Sequence, residues 1–590
     1  MVAKVDLLYS LPTTELRLLI CLTTMKWTIS PAPDPDLSRA LAKQLNVDLL
    51  ISDLLIQRGI ETYEQARTFF RPSLDDLHDP FLMKDMDKAV ARLQKALSNG
   101  EKIMVYGDYD VDGTTSVALV YSFLMELGVP CDYYIPDRYT EGYGISNKGV
   151  EFAVSEGFTL MIALDCGVRA VEQVELARAG GMDMVICDHH QPGEVLPKAI
   201  ALLDPQRKDC DYPYKGLSGC GVGFKLLQGF CVAENLDLDL IFKYLDLLTV
   251  SIGADIVPIT GENRILASVG LKKLQNDPLP GFVSLFKMAG YNKRHITISD
   301  VVFTLAPRIN AAGRITSAKN AVKVLIAKSE EEALVYSQGI EVNNKDRKGF
   351  DKAITLEALG QIRNDSWYET SKSTVVWSPE WHKGVIGIVA SRLIEQYYKP
   401  TIVFTGSGKK LSGSARSVDG INVLECLEEC RDCLIQFGGH RMAAGMTMTE
   451  ENFLKFRERF DEAVAKRVKP EHFEKELLID RVIELGEISA SSYAILRQFG
   501  PFGPGNMKPL FLTKNVIDAK GTRAVGEDSS HLKLHVRSNT SAVPTVKGIA
   551  FKQGAQVTDI IKGRAFDIVY SLEENEWQGQ VNVELNVRDM

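Results

Sequence analysis

The 590-residue chain predicts an α/β fold with two mostly parallel α/β lobes joined by a long helix, followed by a small OB-like β-barrel. Three observations carry this expectation. From "GEKIMVYGDYDVDG" onward, short apolar runs alternate with helical patterns, which is the signature of βαβ units. Residues 329–365 form a charged amphipathic run without proline, which reads as one continuous helix. Beyond about residue 475, short segments such as "HLKLHVRS", "TVKGIAF" and "GQVNVELNVRD" alternate with turn residues, as in a small antiparallel barrel.

The elements follow in order. The apolar stretch "LRLLICL" is too short and lacks the basic flank of a signal peptide, so residues 1–24 read as an extension ahead of a start at Met25. Residues 25–85 show helical apolar spacing in "SRALAKQLNVDLLISDLLIQRG" and are expected to form a cap without chemistry of its own. The first α/β lobe is assigned to 86–325 and the connecting helix to 326–365. The second lobe, 366–470, has strands at "STVVWS" and "PTIVFTG" around the helix of "GVIGIVASRLIEQ", and the barrel takes 471–590.

Composition narrows the function. Apolar and charged fractions of 45% and 25% are those of an ordinary globular protein, and no run reaches the roughly 20 apolar residues of a membrane span. A cytoplasmic location without a membrane partner is therefore expected. The ten cysteines are scattered, which suits a reducing compartment. Cys426, Cys430 and Cys433 have a C-x3-C-x2-C spacing, but they fall in a helical pattern where a cluster would want a loop, so they read as core. A net charge of −9 excludes a protein coated in basic surface, so nucleic acid must be met by a local groove.

The chemistry concentrates at segment ends. The strand "KIMVY" runs into Asp108, Asp110 and Asp112, whose alternation in an extended segment aims them the same way. A second strand ends at Asp165, a third at Asp188, His189 and His190, and a fourth apolar run brings Asp255. In open α/β sheets the carboxyl ends of strands share one crevice, so these groups should converge. Clustered carboxylates repel one another unless a cation lies between them, and a carboxylate and imidazole set suits Mn²⁺, Mg²⁺ or Zn²⁺. A bridging aspartate suits two metals about 4 Å apart. A calcium loop is a poorer fit, since "DYDVDG" lacks the final acid of an EF-hand and calcium would leave the histidines unexplained.

The ordered set "YGDYDVDGTTS", "ALDCG", "DHH" and "SIGADIVP" resembles the four motifs of the DHH phosphoesterase superfamily. "WHKGVIGIVASRL", "GSARS" and "FGGHRMAAGM" resemble its associated DHHA1 domain. Within that superfamily, "RYTEGYG", "APRINAAGR" and "PFGPGN" are similar to the RecJ family of bacterial single-strand-specific 5′→3′ DNA exonucleases, over about residues 25–590.

The resemblance implies two divalent ions, Mn²⁺ or Mg²⁺. It places one ion on Asp110 and Asp165 with Asp108 beside them, and the other on Asp112, Asp165, His189 and Asp255, with Asp165 bridging. His190 would address the scissile phosphate, making His190, Asp165 and Asp112 the catalytic group, while Asp188 orients a histidine. Near the terminal phosphate it places Arg138, Ser414 and Arg416, with Arg314 near the metals. Tyr143, Ser417, Gly439 and His440 join the phosphate-binding candidates, the last two within the glycine-rich "GGHRMAAG" that includes Gly438 and Gly445. Trp381 and His382 read as structural, and Phe502, Lys508, Arg523, His531 and Lys533 are candidates for strand binding on the barrel.

The implied activity is release of 5′-mononucleotides from single-stranded DNA in repair and recombination, by a monomer supplied with DNA by a single-strand-binding protein and a helicase. The alternative is a DHH phosphodiesterase acting on short oligoribonucleotides or cyclic dinucleotides, whose usual members are shorter and lack the barrel. A non-catalytic scaffold fits less well, because every principal metal position carries a competent ligand.

Overall fold

The computed structural model describes residues 25–293, 295–469, 472, 474–539, 545–577 and 580–590. The extension expected over residues 1–24 lies outside the described residues. The chain forms two compact units, one of Ser30–Lys345 with Asp480–Met590 and one of the residues up to Ile29 with Asp346–Ile479.

After strand β1 (Lys26–Ile29), three helices open the first unit: α1 (Pro35–Leu45), α2 (Leu49–Ile56) and α3 (Tyr63–Phe70). Local chemistry sets their starts. The Asp34 carboxylate accepts from the backbone N–H groups of Asp36 and Leu37, and Thr62 and Gln65 cap α3 reciprocally. Helix α4 (Met86–Ser98) then leads into the alternation β2 (Ile103–Gly107), α5 (Val111–Glu126), β3 (Cys131–Tyr134), α6 (Asn147–Ser155), β4 (Leu160–Leu164), α7 (Val171–Ala179), β5 (Asp183–Cys187) and β6 (Ala201–Leu203).

These strands pair in the order β3-β2-β4-β5-β6, all parallel. Both faces are covered. Val105, Ile162 and Val185 enter one core, and Met104, Met161 and Met184 enter the other, as period-two alternation requires of a doubly wound sheet. The strand order reverses between β2 and β4, and the crevice for ligands opens at that switch. Helices α8 (Gly219–Glu234), α9 (Leu245–Ala254), α10 (Gly261–Asn276) and α11 (Ala306–Ile315) complete this part, and α12 runs unbroken over Glu330–Asn364.

The other unit contains β7 (Thr374–Ser378), α13 (Ile386–Tyr397), β8 (Thr401–Ser407), β9 (Lys410–Arg416), β10 (Gln436–His440) and β11 (Ala443–Thr449), followed by β12 (Glu476–Ile479), which pairs with β1. Its sheet order is β10-β11-β9-β8-β7, and only β7–β8 is parallel. The mostly parallel character expected of both lobes therefore holds for the first alone. The reason is local: β8 and β9 are joined by Gly408 and Lys409, with Gly408 at φ 63°, and a two-residue connection permits only an antiparallel hairpin. Cys426, Cys430 and Cys433 are buried in the apolar core of this unit, with only Cys426 on the short helix Val423–Glu428.

The C-terminal strands β13 (Arg481–Val482), β14 (Phe511–Asp518), β15 (Arg523–Val525), β16 (His531–Ser538), β17 (Val546–Ala550), β18 (Phe566–Trp577) and β19 (Gln580–Asp589) pair as β13-β14-β18-β19-β17-β16-β15. An additional β14–β16 pairing closes the sheet into a barrel. The N-terminal helices do not stand apart from it: Leu41, Ile51 and Leu54 share one core with Phe499, Phe511 and Leu532. Arg264 on α10 binds this assembly to the sheet region. Its guanidinium donates to the carbonyls of Phe69, Phe499 and Gly500 at 2.8–3.2 Å. The "PFGPGN" turn thus packs the barrel onto the core, and the Ile259 N–H donates to the Pro504 carbonyl at 2.7 Å.

Candidate functional site

The acids were expected to line one extended segment, but the chain turns into a helix between them. Asp108 directly follows β2, Asp110 caps α5 by accepting from the Gly113 N–H at 3.1 Å, and Asp112 lies inside its first turn. Glycines allow this tight entry, since a Cβ on Gly113 would stand 2.3 Å from the Asp108 carbonyl oxygen. Asp112 is buried and held by donors distant in sequence. Its carboxylate accepts from the backbone N–H groups of Gly219 and Cys220, at the start of α8, and from the Ser251 hydroxyl, at 2.7–2.8 Å.

Asp165 follows β4 with φ 58°, a left-handed backbone rare for a residue with a side chain. Its N–H is tied to the Cys187 carbonyl at 2.9 Å, and Gly219 leaves room for it, because a Cβ there would come within 2.5 Å of the Asp165 Cβ. From the end of β5, His189 Nε2 lies 3.2 Å from Asp165, 3.5 Å from Asp255 and 3.7 Å from Asp112. Asp255 caps the end of α9. Two groups of donor atoms lie within 4.8 Å of one another: Asp112 with His189 and Asp255, and Asp165 with His189 and His190. Asp108 and Asp110 belong to neither group.

Burial raises the Asp108 and Asp165 carboxyls well above the ordinary range, and the neighbouring carboxylates add to it. Asp110 is raised for the same reasons, and Asp255 is pushed up to about 8. Asp108 Oδ2, Asp165 Oδ1 and His189 Nε2 are buried without a hydrogen-bond partner among the described residues. Such atoms cost free energy unless something satisfies them. Carboxylate oxygens and an imidazole nitrogen at this spacing fit a divalent cation.

Asp188 holds His190 rather than His189. Its carboxylate accepts from the Val168, His189 and His190 N–H groups and lies 2.7 Å from His190 Nδ1. Burial opposes charge on His190, but the Asp188 hydrogen bond and charge outweigh it and raise the imidazole to about 9. His190 Nε2 then faces the Tyr143 hydroxyl at 2.9 Å.

The arginine candidates divide between the units. Arg138 stacks over the Tyr109 ring at 4.6 Å, Tyr109 meets Tyr143 edge to face, and the Tyr139 hydroxyl donates to the Arg314 carbonyl. Tyr109 sits between the acids of "DYDVDG" and carries no motif signal of its own, so only its contacts with Arg138 and Tyr143 place it at the site.

In the other unit, cross-strand register sets Ser414, Gly445 and Gly438 in one row and Arg416, Ala443 and His440 in the next row of the same sheet face. A Cβ on Gly438 or Gly445 would meet nothing within 4 Å, so bare backbone is presented there. Gly439 faces the other way, where a Cβ would come within 2.5 Å of the Ala444 Cα. It is a packing glycine, and the glycine beside Ser414 and His440 is Gly438.

Trp381 is buried and donates to Glu357 at 2.7 Å, while His382 stacks on Phe350. Ser417 is buried, with its hydroxyl on the Ile421 carbonyl. On the barrel, Phe502 packs against the core and Lys508 pairs with Glu573 at 3.0 Å, so both do structural work. Arg523 and Lys533 are cross-strand partners, and His531 lies on the same face of β16, as does His535 opposite Lys547. These residues form a basic outer strip.

A doubly wound parallel sheet carrying this acid and histidine cluster at its switch point, with a second α/β unit and a closed barrel, defines a DHH-type phosphoesterase. The comparisons agree. Residues 102–252 match the DHH family N-terminal domain, 371–466 the DHHA1 domain and 479–589 the RecJ OB domain. The single-stranded-DNA-specific exonuclease RecJ of Bacillus subtilis (strain 168) is 37% identical over 96% of this chain and 70% of its own. That of Escherichia coli (strain K12) is 33% identical, over 85% and 89% respectively. The structure of RecJ from Thermus thermophilus in complex with Mn²⁺ is 28% identical with a TM-score of 0.82, covering 96% of this chain and 79% of that one. A complex of the same protein with Mg²⁺ has a TM-score of 0.76 at 27% identity, over 96% and 78%. The chain belongs to the RecJ family of single-stranded-DNA-specific exonucleases.

Proposed function

We propose that this protein is a metal-dependent exonuclease that removes 5′-mononucleotides from the 5′ end of single-stranded DNA, with two divalent ions, Mn²⁺ or Mg²⁺, at the acid cluster. The observation that carries this reading is the set of buried, unsatisfied carboxylate and imidazole atoms of Asp108, Asp165 and His189 beside Asp112 and Asp255. Asp108, Asp110, Asp112, Asp165, His189 and Asp255 would hold the ions, with Asp165 shared between them. Bound cations supply Lewis-acid activation of water and offset charge that develops at phosphorus.

The chain supplies the rest. The hydrogen bonds to Asp112 and the strained backbone of Asp165 preorganise the carboxylates. Asp188 fixes the His190 ring, whose Nε2–H is directed at a hydroxyl that a phosphate oxygen can displace. Arg138 and Arg314 contribute positive charge to phosphates, and Ser414, Arg416, His440 and the bare backbone of Gly438 form a surface suited to a terminal 5′-phosphate. The basic strip of the barrel follows the strand beyond the reacting end. Such strands arise where a helicase opens a duplex and a single-strand-binding protein coats it, so both are the partners this reading expects of a cytoplasmic monomer.

The test is hydrolysis of end-labelled, 5′-phosphorylated single-stranded DNA in Mn²⁺, beside a duplex and an RNA of the same sequence. Mononucleotides appearing from the 5′ end of the single strand alone, and abolished by Asp165→Ala, are expected. Inert DNA with hydrolysis of short RNA or cyclic dinucleotides would overturn the substrate assignment.

A further inference from the structure

Several helices of this chain end on a residue in the left-handed conformation, where glycine or asparagine is tolerated best because a larger Cβ substituent crowds the backbone. Helix α1 ends on Asn46 (φ 53°) and α8 on Asn235 (φ 52°). Helix α13 ends on Tyr398 (φ 43°), whose ring packs against the core of its unit.

Helix α9 breaks this pattern. Directly after its cap, Asp255, comes Ile256 at φ 59°. It is the only β-branched residue with a left-handed φ among the described residues, and for that side-chain type the conformation is an outlier. No packing accounts for it. Ile256 is 65% exposed and absent from every hydrophobic core. The fold bears the strain and gains little from the side chain.

The neighbours on either side place Ile256 at the edge of the acid cluster. The Asp255 carboxylate lies 3.5 Å from His189 Nε2. Val257 and Pro258 line a cavity of about 390 Å³ whose wall also includes His189, Tyr214 and Leu217. Ile256 itself is not part of that wall; it stands exposed in the chain between the acid that faces His189 and the residues that line the cavity.

We infer that Ile256 is a substrate-contacting residue, whose branched side chain meets the face of a nucleobase of the strand held at the acid cluster. This rests on the proposed exonuclease reading. An unpaired base offers an apolar face whatever its identity, so the contact would aid binding of single strands without selecting sequence.

The experiment compares Ile256→Asn and Ile256→Gly with the parent protein in Mn²⁺. It uses one single-stranded DNA and a second strand whose two 5′-terminal nucleotides are abasic. Both variants should melt no lower than the parent, since each relieves the left-handed strain. Their kcat/KM on the normal strand should fall about ten-fold, mainly through KM, and the deficit should vanish on the abasic strand. An unchanged kcat/KM on normal DNA overturns the inference. So does an equal deficit on both strands, which would show that the side chain positions Asp255, and so does a lowered melting temperature, which would show that it serves the fold. If the parent protein itself is inert on single-stranded DNA, it is the exonuclease reading that fails.

Discussion

Two buried charge clusters in the first unit are built to opposite ends. Lys225, fully buried on α8, donates to Glu262 at 3.1 Å and to the His78 carbonyl at 2.6 Å. Glu262 in turn accepts from the His78 N–H and the Tyr212 hydroxyl, so one positive charge meets one negative charge and each carboxylate oxygen has a donor. Burial lowers the Lys225 ammonium pKa, and Glu262 works against that. At the acid cluster, Asp108, Asp110, Asp112, Asp165 and Asp255 crowd together with no lysine or arginine ion-paired to them among the described residues, and three buried atoms make no hydrogen bond. A closed network fastens parts of the fold together, whereas an open one in which carboxylates outnumber their cationic neighbours suits a divalent cation.

Mutation should separate the two clusters. The largest effect belongs to Asp165→Asn, which keeps the shape and tolerates the left-handed backbone. Exonuclease rate should fall about 10³-fold or more, while melting temperature without metal stays level or rises, because a buried unpaired carboxylate is gone. Next, Lys225→Met leaves Glu262 buried and uncompensated. Denaturant unfolding should show a loss of about 3–5 kcal/mol, with kcat per folded molecule unchanged. If instead Lys225→Met abolished activity in the folded fraction, the two clusters would not be independent.

A finer division runs through the histidine pair. Asp188→Asn weakens the hold on the His190 ring while keeping an acceptor for the His189 and His190 N–H groups, so kcat should fall about 10- to 100-fold with Mn²⁺ affinity largely retained. A parallel loss of Mn²⁺ affinity would make Asp188 part of the metal site. The smallest effect is expected at Lys508→Ala, which removes a half-exposed pair with Glu573. Stability should change by no more than about 1 kcal/mol, and strand affinity should not change. A marked loss of affinity would return Lys508 to the DNA-binding surface.

Much of this was legible in the sequence because short apolar runs ending in acids announce where a parallel sheet, buried on both faces, exposes its carboxyl ends. The long helix was equally plain, expected over 329–365 and observed over Glu330–Asn364. What stayed hidden depends on long-range geometry. Nothing near "DYDVDG" shows that the Asp112 carboxylate is received by the N–H groups of Gly219 and Cys220, more than a hundred residues away. Which glycine of "FGGH" shares a face with Ser414 is decided by β9–β11–β10 register, which favours Gly438 over Gly439. Lys508 reads as a free cation until β18 places Glu573 beside it. That Tyr109 lies under the Arg138 guanidinium is set by the turn at Asp110 and not by any local signal.

The most direct test of the contrast between the clusters is the Mn²⁺-induced shift in melting temperature of the parent protein, Asp165→Asn and Lys225→Met. A cation that binds only the folded state at about a hundred times its dissociation constant adds about 2.7 kcal/mol of stability. The parent and Lys225→Met should rise by similar amounts from their different starting points, and Asp165→Asn should rise little or not at all. A parent protein indifferent to Mn²⁺, or an Asp165→Asn protein that responds as the parent does, would contradict the assignment of the acid cluster as the metal centre.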